Sequence, residues 1–252
     1  MLTIDSNINR PDLVLIHGWG MNSEIWQGIR GELEPHFKLH CLDLPGFGNA
    51  LATDDYSLDN ICKLVLENLP QKAIFVGWSL GGLVATNIAI TYPQRVQALV
   101  TVAASPCFEQ QAQWPGMQAS VLEQFAKGLS QNFKRTLNQF MAIQAMGSPH
   151  AKAEIKQLRT WLETKPVPSQ QTLEQSLALL KNSDLRSQLG QIELPFIQVY
   201  GYLDRLVPRQ AIEKIRELNS NAQQLVFRDA SHAPFISDPA EFCSAIKRHL
   251  LA

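Results

Sequence analysis

Ser79 stands in Gly77-Trp78-Ser79-Leu80-Gly81, directly after the apolar run Ala73 to Val76 and just before the helix-like run Leu83 to Ala89. Two readings fit such a serine. It can cap a helix in a compact glycine-bearing turn. It can also be a nucleophile elbow, where a tight strand-to-helix turn strains the serine backbone and lifts Oγ clear of the sheet. The elbow demands glycine two residues before and two after, because strand and helix backbones pass too close there for side chains. It also demands partners. A serine hydroxyl is a weak nucleophile at neutral pH; it needs an imidazole to take its proton and a carboxylate to orient that imidazole.

On a strand-turn-helix scaffold of this kind the three groups arrive in the order serine, acid, histidine. His36, His40, His150 and His249 lie in helical or surface-like contexts, and His17 precedes Ser79. His232, in the string DASHAPF after the last apolar run, is therefore the candidate base. The candidate acid is Asp204 in YGYLDRLVP, just beyond a strand-like run ending at Tyr200. Asp229 is too near His232 along the same segment, and Asp184 belongs to a helical region. A capping role for Asp204 ahead of Pro208 is the alternative. A tetrahedral intermediate also needs two N–H donors for its oxyanion. His17-Gly18-Trp19-Gly20, after the first strand-like run, offers the Trp19 N–H, and the residue after the nucleophile offers that of Leu80. His17 then reads as a brace for this loop and not as a base.

The elements that must position these groups read as a doubly wound α/β core with a parallel sheet. Short apolar runs (13–16, 39–42, 73–76, 98–102, 196–200, 224–227) alternate with amphipathic stretches (59–69, 210–218, 239–250). Strands apolar throughout, separated by helices, indicate a parallel sheet covered on both faces. Between about Phe108 and Leu189 the strands stop and helical runs take over (120–146, 151–163, 173–180). The expected organisation is thus a core from 1–107 and 190–252, with residues 108–189 inserted as a helical cap over the carboxyl edge of the sheet, where ligands sit in open α/β folds.

Composition narrows the classes further. The 252 residues carry 22 Lys and Arg against 23 Asp and Glu, a net charge of −1, so nothing global draws the chain to nucleic acid or to an anionic membrane. Met1 to Asp12 lacks a basic segment and an apolar stretch of leader type, and no apolar run approaches the roughly 20 residues of a membrane span, so a cytoplasmic protein is expected. Cys41, Cys62, Cys107 and Cys243 are scattered without a C-x-x-C pair, which favours reduced packing residues over a metal or redox site, with a disulfide left open.

The order HGWG, GWSLGG, Asp, His over the whole chain resembles the α/β-hydrolase superfamily. The longer strings DLPGFG, GWSLGGLVA, GYLDRLVPR and HAPFISDPAEFC are similar, more narrowly, to the biotin-pathway carboxylesterases that demethylate pimeloyl-[acyl-carrier protein] methyl ester. That resemblance implies an acyl-carrier protein as partner and a cap whose basic side chains grip the acidic carrier; a histidine-activated serine with an oxyanion site suffices for acyl transfer, so no metal or organic cofactor is expected. Residues 124–153 contain no Asp or Glu but include Lys127, Lys134, Arg135 and Lys152, with Lys156 and Arg159 just beyond. Lys152, Lys156 and Arg159 fall at i, i+4 and i+7, one helix face. Arg135 matches the family pattern, whereas lysine stands at 152 and 156, and glutamine at 139, where it has arginine. Lysine keeps the charge and loses the bidentate fork. A merely solvated face is the plain alternative. Trp19, Trp78 and Phe140 are candidates to line an acyl channel, with a place in the cap's own core as the alternative for Phe140. The rival activities are a broad short-chain carboxylesterase or thioesterase and a non-catalytic ligand receptor on the same fold; a dehalogenase would need aspartate at position 79.

Overall fold

The computed structural model describes residues 10–251, so most of the Met1–Asp12 stretch read for a leader lies outside the described residues. Six strands form one sheet: β1 (Asp12–Ile16), β2 (Lys38–Leu42), β3 (Ala73–Trp78), β4 (Val96–Val102), β5 (Phe196–Gly201) and β6 (Gln223–Phe227). Their order is β2-β1-β3-β4-β5-β6. Every pairing is parallel. Each strand contains one of the six apolar runs of the sequence, and the reason is visible in their burial. In the central strands consecutive residues are buried whichever face they point to, as in Leu13 to Ile16 and Ala73 to Val76. Such strands cannot alternate apolar with polar. The edge strands β2 and β6 are only half-buried.

Helices supply the covers. They are α1 (Gln27–Leu33), α2 (Leu58–Leu66), α3 (Leu80–Thr91), α7 (Arg209–Leu218), the short α8 (Pro234–Ser237) and α9 (Pro239–Leu250), with α1 packed on α9 and α2 on α3. Between β4 and β5 lie the cap helices α4 (Ala119–Gln144), α5 (Ala151–Leu162) and α6 (Gln170–Asn182). Core and cap share one continuous apolar cluster, in which Leu137, Phe140, Leu158 and Leu173 join the strand residues.

One element differs from expectation. The run 120–146 reads as a single helix, but α4 breaks at Asn132, whose backbone is extended (φ −159°, ψ 86°). The Asn132 side-chain oxygen accepts the Arg135 N–H at 3.0 Å, so Asn132 caps a second helix begun in mid-run. Lys127, Arg135 and Gln139 line an open groove of about 570 Å³ at this break, together with Gly128 and Thr136.

Polar bonds on the β1–β2 side tie the cap to the core. The Trp19 indole N–H donates to the Leu173 carbonyl at 3.1 Å, and Asn22 donates to the Leu162 carbonyl at 3.2 Å. Lys165, between α5 and α6, donates to Asp43 at 3.0 Å and pairs with Glu24 at 3.4 Å. Burial pushes the Asp43 carboxyl upward, but the N–H groups of Asn49 and Ser23 and the Lys165 ammonium outweigh it and hold the group below the usual carboxylate range.

Candidate active site

Ser79 sits at the junction of β3 and α3 with φ 53° and ψ −113°, a left-handed conformation that a side-chain-bearing residue adopts at a cost of about 1–3 kcal/mol. The flanking glycines explain how the turn fits. A Cβ on Gly77 would lie 2.2 Å from the Gly81 carbonyl oxygen, and one on Gly81 would lie 2.3 Å from that of Ile16. The Ser79 N–H donates to the Val102 carbonyl at 2.9 Å, pinning the elbow to the end of β4.

His232 and Asp204 converge on this serine from loops after β6 and β5. His232 Nε2 lies 2.9 Å from Ser79 Oγ, and Nδ1 lies 2.8 Å from Asp204 Oδ2. An ionised carboxylate only accepts, so Nδ1 carries the proton and the Nε2 lone pair faces the serine hydroxyl. The other Asp204 oxygen accepts the Leu206 and Val207 N–H groups at 2.7 and 3.2 Å, which fixes the carboxylate plane. All three side chains are buried. Asp204 does not cap the next helix, which begins at Arg209 with Pro208 as its N-cap and no side-chain cap bond; it orders its own turn with one oxygen and meets the imidazole with the other.

The Trp19 and Leu80 N–H groups make no backbone hydrogen bond among the described residues. Leu80 opens α3, where the helix dipole adds partial positive charge. His17 braces the opposing loop: Nδ1–H donates to the Gly18 carbonyl at 2.8 Å and Nε2 accepts the Leu44 N–H at 3.0 Å. Burial drives His17 down to about 4 from its ordinary 6.5. Between those values the unfolded chain binds a proton that the folded chain refuses, so stability falls as pH drops through this window, by about 3 kcal/mol in all. Chemical denaturation at pH 7.5, 6, 5 and 4 should show the stability advantage over a His17→Gln variant narrowing toward acid. A constant gap would mean that His17 does not titrate with folding.

The aromatic residues divide into two groups. Trp19 packs edge-on against Phe140 with ring centroids 4.7 Å apart, and Phe140 meets Phe125 at 5.4 Å, so Phe140 belongs both to the cap's own core and to its contact with the loop after β1. Trp78 instead packs against Phe235 at 5.3 Å and His232 at 5.7 Å, and its indole N–H donates to the His232 carbonyl at 2.8 Å. Sequence reasoning missed this bracing role, which spans 154 positions and leaves no local mark. It also missed two cap contacts with the same loop. The Gln144 carbonyl accepts the His232 N–H at 3.0 Å, and the Met146 carbonyl accepts the Ser231 hydroxyl at 2.9 Å.

The basic cap residues stand at the surface, whereas Ser79 is buried. Arg135, Lys152, Lys156 and Arg159 are all exposed, and none forms an ion pair among the described residues. On α5 the other face carries Glu154, Leu158 and Leu162, all buried.

The α/β-hydrolase fold family profile matches residues 11–239. The chain belongs to this family. This α/β hydrolase is 48% identical over 239 residues to a pimeloyl-[acyl-carrier protein] methyl ester esterase of Aeromonas salmonicida, covering 94% of each chain. It is 46% identical over 234 residues to the enzyme of the same name from Citrobacter koseri, covering 93% of this chain and 91% of the relative. Among solved structures, a hydrolase from Pseudomonas aeruginosa superposes with a TM-score of 0.83 at 26% identity, covering 98% of this chain and 92% of the other. An esterase from Exiguobacterium antarcticum superposes with a TM-score of 0.86 at 21% identity over 96% and 92% of the two chains, a likeness of fold. No helix among the described residues is long and apolar enough to cross a membrane. The four cysteines are free thiols, and burial pushes Cys41 and Cys243 up to about 11 and Cys62 up to about 12, so these three stay protonated at neutral pH.

Proposed function

We propose that this chain is a cytoplasmic serine carboxylesterase that hydrolyses the methyl ester of pimeloyl-[acyl-carrier protein], freeing the terminal carboxylate and methanol in biotin synthesis. The observation that carries the substrate is the identity to two esterases of that name along nearly the whole chain, cap included. The chemistry follows from the Ser79–His232–Asp204 hydrogen-bond chain. Ser79 Oγ attacks the ester carbonyl while His232 Nε2 takes its proton, and Asp204 stabilises the imidazolium. The Trp19 and Leu80 N–H groups hold the oxyanion, a contribution of about 3 kcal/mol for each donor. Collapse expels methoxide, which leaves as methanol with the proton from His232. Water then attacks the acyl-serine by the same steps, giving carboxylic acid and free enzyme. Transfer of the acyl group needs only the serine, its base and the oxyanion donors, so the proposal includes no metal or organic cofactor.

Arg135, Lys152, Lys156 and Arg159 dock the acidic carrier in this proposal. Their exposure and their lack of internal ion pairs support it, because a solvated face laced to its own helix would offer no field to a partner. Comparing kcat/KM for pimeloyl methyl ester free in solution and attached to carrier protein tests the reading. A preference of about tenfold or more for the carrier-bound ester is expected from an exposed electrostatic interface. Equal values would support a broad short-chain esterase, and no turnover of either ester above a Ser79→Ala control would end the esterase reading.

A further inference from the structure

We propose that Glu154 is a positioning residue for His232, holding the segment that carries the imidazole against the cap. The proposal rests on the triad reading above. Glu154 points inward from α5, is buried, and has no Lys or Arg within ion-pair distance among the described residues. Burying a carboxyl without a cation is unfavourable unless hydroxyls or N–H groups satisfy it, and an apolar residue would fill an inner helix face more cheaply. What Glu154 does satisfy is specific. One oxygen, Oε1, accepts the Ser148 hydroxyl at 2.6 Å and the Ser237 hydroxyl at 2.9 Å. Ser148 belongs to the turn between α4 and α5, and Ser237 closes α8, which starts at Pro234, two residues after His232.

The histidine backbone is thereby gripped from three sides. The Gln144 carbonyl takes its N–H, the Trp78 indole takes its carbonyl, and the Glu154–Ser237 bond holds the helical turn that follows. Two of these grips come from the cap. The imidazole must keep hydrogen bonds of 2.9 and 2.8 Å on opposite ring nitrogens, so a small shift of α8 misaligns both at once. A displacement near 1 Å is enough to slow a reaction substantially without touching substrate binding.

The test uses the whole protein and p-nitrophenyl butyrate, a small ester that owes nothing to carrier docking. Well below the melting temperature, Glu154→Ala should lower kcat by about tenfold or more with KM changed less than about twofold. Glu154→Gln should stay within about twofold of wild type, because an amide oxygen accepts both hydroxyls as the carboxylate does. Ser237→Ala removes only the bond to α8 and should lower kcat in the same direction. The downfield proton resonance of the His232–Asp204 hydrogen bond should broaden or shift in Glu154→Ala and persist in Glu154→Gln. Full kcat and an unchanged resonance in Glu154→Ala, even with a lowered melting temperature, would reduce Glu154 to a brace of the fold and overturn the proposal. So would a Gln variant as impaired as the Ala variant. If Glu154→Ala does not fold, an unchanged kcat in Ser237→Ala overturns it as well. Failure of the underlying triad reading looks different: His232→Ala would then retain turnover.

Discussion

Ser79→Ala and His232→Ala should each lower kcat by a factor on the order of 10⁴ to 10⁶, and the double variant should be within about threefold of the worse single. The reason is that the two side chains share one proton in one step. Removing the hydroxyl leaves the imidazole nothing to activate, and removing the imidazole leaves a hydroxyl too weak to attack. The buried 2.9 Å contact between Oγ and Nε2 is the structural basis for treating them as a unit. A residual rate above water, about 10³-fold, should survive in both, since the Trp19 and Leu80 N–H groups are backbone and persist. Single-turnover measurements on p-nitrophenyl butyrate with both singles and the double would decide the matter. Losses that multiply would place serine and histidine in separate steps and break the proposed mechanism.

On the proposed carrier-bound ester, Arg135→Glu with Lys156→Glu should lower kcat/KM by about 30-fold or more while leaving a small free ester nearly untouched. Each reversal removes an attraction and adds a repulsion, each worth up to about 1 kcal/mol at an exposed site. Neither residue touches the carbonyl under attack. Both are exposed and unpaired among the described residues, so reversal breaks no internal contact of the cap. Raising salt from about 50 to about 500 mM should shrink the wild-type preference for the carrier substrate, because the screening length contracts to a few ångströms. Gln139 shares the groove at the α4 break with Arg135, so Gln139→Arg should strengthen the interaction. Equal losses on both substrates would mean a damaged cap, and no loss on either would return these residues to a solvated face.

Which of these features could be read from the sequence, and which could not, follows from the range of the interactions behind them. The six strands were legible because a parallel sheet buried on both faces forces unbroken apolar runs, as in Leu13 to Ile16. The meeting of Ser79, His232 and Asp204 was legible because Gly77 and Gly81 are required by backbone approach, and because chain order picks out His232 and Asp204 among several candidates. The break at Asn132 was not, since asparagine within a polar helix run has no distinctive surroundings until its side chain is seen to accept the Arg135 N–H. Nor were the grips on the histidine loop. The bonds from Ser231 to Met146 and from Ser237 to Glu154 join residues 85 and 83 positions apart, and only the folded cap brings them together.

The strand order also sets a sequence of events during synthesis. The first four strands made are already neighbours, β2-β1-β3-β4, so they can pair as they leave the ribosome. The next partner of β4 is β5, and all three cap helices must be translated before it emerges. At ribosomal speeds of about 5–20 residues per second, that leaves the free edge of an apolar strand open for roughly 5 to 20 seconds. An unpaired apolar edge is the kind of surface on which nascent chains stick to one another. The growing chain therefore has a vulnerable interval that the finished fold conceals, and holdase chaperones or a slowed supply of ribosomes should matter most for its soluble yield while the cap is being made.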